Sequence, residues 1–265
     1  MDIYLIALIV FIVLTIIYFV VLKPDILKQI PESGIIDVEA YKTSAYPKLA
    51  IFVVAVCISQ FILNTAYLNT KCSGATKDNI GTAALYTFLP WLFFLGITIT
   101  MEIIYPEFKS PFSNVFGFFA VSGGATKFFT DYGKKKDFIT EMCNDISVLI
   151  NPITIENFED TWVVLNDENN KVNFDFTKKI EDEDENITAK QRLLKLVQMK
   201  DNVGIASWYI YTAILITSFV YFKLAETGCS LSPEQIKENH DKYVKEQEAN
   251  DKKQASANSA KASLN

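Results

Sequence analysis

The chain has 265 residues, 50% of them hydrophobic, and a formal net charge of −6. Its mean hydropathy is +0.17, but the apolar residues are gathered into four runs separated by polar sequence, and that unevenness indicates a membrane protein. The negative balance gives no basic field to attract nucleic acid. Arg192 is the only arginine and His240 the only histidine, which nearly excludes recognition of phosphate or carboxylate by arginine forks and excludes multi-histidine metal sites.

Ile3 to Leu22 carries no charge and is closed by Lys23-Pro24. With no basic segment before it and no small-residue cleavage site after it, it is expected to be a retained transmembrane helix. Pro24 to Pro47 reads as a connector, with turn chemistry at Pro31-Glu32-Ser33-Gly34 and a short strand over Gly34 to Tyr41. Leu49 to Leu68 is the second run. Gln60 and Asn64 lie four residues apart on one face of it, and are expected to make helix–helix polar contacts more than to line a pathway, because no ionisable residue joins them.

Asn69 to Gly81 is a polar loop carrying Cys72. Thr82 to Met101 is the third run, with Pro90-Trp91 inside it, where a kink is expected. Glu102 ends the run and is expected to anchor it at the water boundary. Tyr105 to Thr130 then reads as an interfacial amphipathic segment whose apolar surface is Phe108, Phe112, Phe116, Phe118, Phe119, Phe128 and Phe129. Phe112, Phe116 and Phe119 share one helical face, and Gly123-Gly124 is expected to break the pattern before a second helix. The polar face carries Ser and Asn in place of Lys and Arg, which allows a protein partner as well as lipid.

Residues 131–202 are expected to form a small α+β extramembrane domain. Ala125 to Ile150 reads as a helix with Phe138, Ile139, Met142, Ile146 and Ile150 at helical spacing, interrupted near Gly133. Trp162 to Leu165 and Val172 to Phe176 read as a β-hairpin. Glu181 to Glu185 is a solvated acidic run without calcium-loop spacing. Thr188 to Lys200 reads as a further helix. Val203 to Phe222 is the fourth run, with Trp208, Tyr209 and Tyr211 near one end and Tyr221-Phe222 at the other, as two aromatic belts require. Ser232-Pro233-Glu234-Gln235 is a capping box for a polar helix to about Lys253, and Ala255 to Asn265 has the composition of a disordered tail. The fold class that follows is mainly α: a four-helix, multi-span membrane protein with three spans in residues 1–104, a fourth over 203–223, and a polar helix and tail over 224–265.

Four spans put both termini on one side with the Asn69 to Gly81 loop. Lysines near the spans are denser on the other side, which places the large domain in the cytosol and the termini in the lumen. Cys72 and Cys229 then share the oxidising side, each just outside a span, and are expected to pair. The sequon Asn186-Ile187-Thr188 would be cytosolic and unmodified. No GxGxxG, P-loop or CxxC motif and no nucleophile–base pair can be assembled. No enzyme activity, cofactor or metal is expected.

The stretch Tyr105 to Gly117, YPEFKSPFSNVFG, continuing through FFAVSGGATKFF, resembles membrane-embedded minor capsid proteins of the nucleocytoplasmic large DNA viruses, of the chlorovirus and mimivirus type. The resemblance covers Thr82 to Thr130. The residues that carry it as a partner-contact motif are Ser110, Pro111, Phe112, Ser113, Asn114, Phe116 and Gly117, with the Asp160-Thr161-Trp162 region matching more loosely. It implies a structural protein of the viral internal membrane, made in host endomembrane, that tethers the bilayer to the capsid shell. Its partners would be the lipid bilayer, the major capsid protein and other minor capsid proteins. Alternatives from the residues alone are a channel or transporter-like subunit, with a homo-oligomer left open, and a cellular endomembrane adaptor.

Overall fold

The computed structural model describes residues 3–30, 35–72, 77–134, 145–167, 174–177, 187–229, 236–238, 240–247 and 250. Four helical stretches are long and apolar enough to cross a membrane: Ile3–Lys28, Val38–Lys71, Asn79–Ile104 and Ala189–Glu226. The first is α1 (Ile3–Ile17), widened by a π turn over Tyr18–Leu22. The second is α2 (Val38–Lys71), which starts well before the apolar run because Asp37 caps it, accepting from the Ala40 amide, and which carries Pro47 within it. The third is α3 (Lys77–Pro90) and α4 (Gly96–Ile104), joined by a π turn over Trp91–Leu95. That turn follows Pro90 directly, where the chain must accommodate the missing amide donor.

After Tyr105 the chain makes a 3-10 turn (Pro106–Lys109), a short α5 (Ser110–Phe112), a π turn (Ser113–Gly117) and α6 (Phe118–Tyr132). α7 (Ser147–Ile150) and α8 (Phe158–Asn166) follow. α9 (Ala189–Glu226) is one helix of 38 residues, about 57 Å long. It unites the expected Thr188 to Lys200 helix with the fourth apolar run, so no helix end falls at residue 202. Thr188 and Gln191 close its start in a capping box.

Several expectations are corrected. The extramembrane domain is helical and is not α+β: among the described residues there is no strand, and β structure is limited to one isolated bridge between Gly133 and Phe174. Trp162 to Leu165 belongs to α8. Its β-branched residues suggested a strand, but Phe158, Trp162 and Leu165 recur at helical spacing and pack on the domain core, and Glu159 and Asp160 suit a helix start. Tyr41 is helical, so no strand spans Gly34 to Tyr41. Gly123-Gly124 breaks nothing. α6 runs through both, and a Cβ on Gly124 would lie 2.8 Å from Leu196 Cδ2. Phe138, Ile139, Met142, Glu181 to Glu185, Asn186, the Ser232 capping box and the tail lie outside the described residues, while 236–238 and 240–247 are helical.

Two cores result. One fills the bundle, with Phe11, Phe52, Trp91 and Tyr209 at its centre. Phe52 stacks on both Tyr18 and Tyr209, at centroid distances of 4.9 and 5.9 Å. The other fills the domain, where Phe128, Phe129 and Tyr132 of α6 meet Leu193, Leu194 and Val197 of α9, with Ile150, Ile153 and Phe158 behind them. Phe128 and Phe129 are therefore core residues of the domain. Phe116 and Phe119 stay exposed.

The bundle end away from the domain is stapled. A disulfide joins Cys72 to Cys229 across 157 residues of chain. The Lys71 ammonium donates to the carbonyls of Leu224, Ala225 and Thr227 at 3.0, 2.7 and 2.8 Å, capping α9 at its negative end. A non-reducing peptide map is expected to recover Cys72 linked to Cys229, and Cys229→Ser to cost ~2–5 kcal/mol in detergent unfolding. Alkylation of both thiols without reduction would contradict the staple.

Candidate functional site

The motif residues divide between two sides of the segment they occupy. Ser113 and Gly117 are buried, and they face α9. A Cβ on Gly204 would sit 2.0 Å from Ser113 Oγ and 2.7 Å from Ser113 Cα, and one on Gly117 would sit 2.3 Å from the Lys200 carbonyl oxygen. The pairings Ser113–Gly204, Gly117–Lys200 and Gly124–Leu196 run in opposite directions along the two helices. The segment therefore lies antiparallel against the first half of α9, with its backbone close enough that only small residues fit.

The aromatic residues of the motif lie where that helix pair meets the apolar part of α9. Phe108 and Phe112 meet the Trp208 ring at 4.4 and 4.6 Å, and Phe112 reaches Tyr211 at 6.1 Å. Trp208 Nε1 donates to the Phe108 carbonyl at 2.9 Å. Phe116 stacks on Phe112 at 5.7 Å. This is an aromatic belt at the domain end of the apolar span. Pro111 and Asn114 face outward, and the Asn114 carbonyl accepts from Asn151 Nδ2 at 3.4 Å. Ser110 begins α5.

Beside the belt lies a cluster of charge that the sequence reading did not anticipate. Lys109 is only 4% exposed, and its ammonium donates to Asp201 Oδ2 at 2.7 Å and to Glu156 Oε2 at 2.9 Å. Asp201 is 1% exposed and also accepts from the Ile155 amide at 3.4 Å. Lys200, the preceding residue, donates to the carbonyls of Ile150, Asn151 and Ile153 at 2.9, 3.0 and 2.6 Å. Two consecutive residues of α9 thus hold the α7–α8 connector and the exit of α4. Gln198 adds the α1–α2 connector, donating to the Pro24 carbonyl at 3.2 Å and to the Tyr41 hydroxyl at 3.4 Å. Glu159 bridges the Ile36 amide, at 2.8 Å, and Lys190, at 2.7 Å.

Burial alone would lower the Lys109 pKa, but the Asp201 and Glu156 carboxylates outweigh it and hold the ammonium above its ordinary lysine value. Burial would likewise raise Glu156, and Lys109 reverses that, holding the carboxyl below its ordinary value. The cluster encloses one side of a cavity of about 80 Å³. Tyr18 and Lys23 line it from the end of α1, Tyr41, Lys42 and Leu49 from α2, Glu102 and Ile103 from α4, and Tyr209 from α9. Glu102 is not simply a surface anchor: its Oε2 accepts from the Tyr209 hydroxyl at 2.9 Å.

The other named residues are satisfied elsewhere. Gln60 Nε2 donates to the Ala7 carbonyl at 2.9 Å, and Asn64 Nδ2 to Thr87 Oγ1 at 2.8 Å. They tie α2 to two different neighbours, and the cavity beside them is only about 10 Å³. Lys109 and Asp201 could have been noticed in the sequence as single charges set against apolar or aromatic runs. Nothing local pairs them, since they are 92 residues apart. No protein-family model, no curated protein and no solved structure matches this chain.

Lys109→Ala is expected to cost ~3–5 kcal/mol in detergent unfolding, because it leaves Asp201 buried without its cation. Glu156 contributes stability that is present above the ordinary glutamate pKa of ~4.3 and lost as the pH falls through its lower folded value. The Lys109 contribution is complete below ~10.4 and lost as the pH rises through its higher folded value. The difference in melting temperature between wild type and Glu156→Gln should therefore be constant at neutral pH and disappear in acid. A difference unchanged in acid would contradict the pairing.

Proposed function

We propose that this protein is a structural anchor that holds a small helical domain rigidly against a bilayer, so that the domain can meet a protein layer outside it. The observation that carries the reading is α9, which is at once the fourth apolar span and the central helix of the domain. A load on the domain passes into the bundle through one continuous helix, and no flexible linker interrupts it. The staple at the far end fastens α9 to α2.

The resemblance over Thr82 to Thr130 supports a more specific reading. The bilayer would be the internal membrane of a large DNA virus, and the protein layer its capsid shell, with major and minor capsid proteins as partners. Ser113 and Gly117 then serve the internal packing of the anchor, and the outward side of the same segment serves contact. Phe119 is 73% exposed and Val163 is 65% exposed. Both belong to the domain and offer apolar contact to a partner.

Photo-crosslinking amino acids at Phe119 and at Val163, in purified particles or source membranes, test this reading. Adducts with a shell protein are expected from at least one position. Adducts only with lipid or with further copies of this chain would overturn the tether.

A further inference from the structure

We infer that the cavity at the domain end of the bundle binds the phosphate of a membrane glycerophospholipid, with Lys23 and Lys42 as the binding cations. The cavity lies where the apolar runs end, the level at which headgroups are expected. It is bounded by the charged closing residue of the first span, Lys23, by Glu102 at the end of the third, and by Lys42, two turns before the apolar part of α2 begins at Leu49. Its lining is mixed, with the charged Lys23, Lys42, Glu102, Lys109 and Glu156 beside the apolar Leu49, Ile103 and Ile205. A phospholipid likewise joins a charged phosphate to apolar acyl chains. Basic pockets between membrane helices are a recurrent headgroup site.

The charges facing the cavity decide which ions remain available. Lys109 is held by Asp201 and Glu156. Glu102 accepts from the neutral Tyr209 hydroxyl and its charge acts on Lys23, as that of Lys42 acts on Glu156. Lys23 rests over the Phe19 ring at 4.9 Å. Neither Lys23 nor Lys42 forms a salt bridge among the described residues. Two half-buried lysines therefore line the cavity, where Asp201 and Glu156 hold Lys109 and the Glu102 carboxylate leaves one negative charge acting on Lys23. A phosphate diester with one negative charge would accept from both. The Tyr18 and Tyr41 side chains form the adjoining wall. Tyr46 and Ile103, both exposed, lie at the apolar side, where acyl chains would lead away into the bilayer.

The test is native mass spectrometry of the full chain released from nanodiscs of mixed phospholipids. It compares wild type with the double variant Lys23→Gln/Lys42→Gln and with the control Lys28→Gln/Lys48→Gln, whose lysines lie outside the cavity lining. Wild type and control should retain one phospholipid, and the Lys23/Lys42 variant should hold it about 30-fold more weakly, the loss expected for two lysines near a phospholipid phosphate. An intact Cys72–Cys229 linkage and an unchanged melting temperature identify a folded variant. Equal retention in both variants, or no retained lipid in wild type, would overturn the site. Displacement of the lipid by excess inorganic phosphate would show that the cavity takes the free anion, and would overturn the lipid as its occupant. None of these outcomes bears on the shell partner, which the crosslinking addresses separately.

Discussion

The ammonium of Lys109, held between Asp201 and Glu156, is the constraint on which the junction between bundle and domain depends. Lys109 and Asp201, removed from water with the half-buried Glu156 beside them, would be costly if either lacked its partners. That cost makes the arrangement specific. The exit of the third span, the α7–α8 connector and the middle of α9 must all arrive together, or none can be buried. Lys200 adds three carbonyl acceptors beside it, so the turn at Ile150 to Ile153 is fixed by the helix it packs on.

The small residues explain why the charges can meet at all. Ser113, Gly117 and Gly204 let the segment after α4 approach α9 more closely than any larger side chains would permit. That approach brings Lys109, one turn before Ser113, within reach of Asp201, one turn before Gly204. Phe108, Phe112 and Trp208 then pack together beside the crossing. The motif in the resemblance thus has an internal structural use, and the contact role proposed for it falls to its outward residues.

Anchor and lipid site draw on the same geometry in different ways. The anchor reading needs α9 to be continuous and the domain to be tied to it. The lipid reading needs Lys23 and Lys42 to reach the junction cavity without a salt bridge while Lys109 is occupied, and a phosphate to be held there in spite of Glu102. A protein that fixes a bilayer against a rigid layer gains grip if it also holds individual lipids at that face, because pulling on the domain then pulls on the headgroups.

The four spans were legible because an apolar run of membrane length has few other uses, and in each case the run lies within a helix of the structure. The Thr188 and Gln191 cap and the apolar spacing of α9 were also local signals. Local pattern failed where tertiary packing outweighed it. The β-branched Val163 and Val164 became helix because Phe158 and Trp162 beside them pack on the domain core, and at Gly124 the close approach of Leu196 favours a missing side chain within the helix. The partners of Lys109, the cavity and the antiparallel pairing of α6 with α9 had no sequence signal at all. By itself the sequence determined how many helices are long and apolar enough to cross a membrane and where they lie, since transfer of apolar side chains from water is a property of each run alone. Only the tertiary structure decided which charges are buried together and which line the junction cavity, because that depends on distances between residues far apart in the chain.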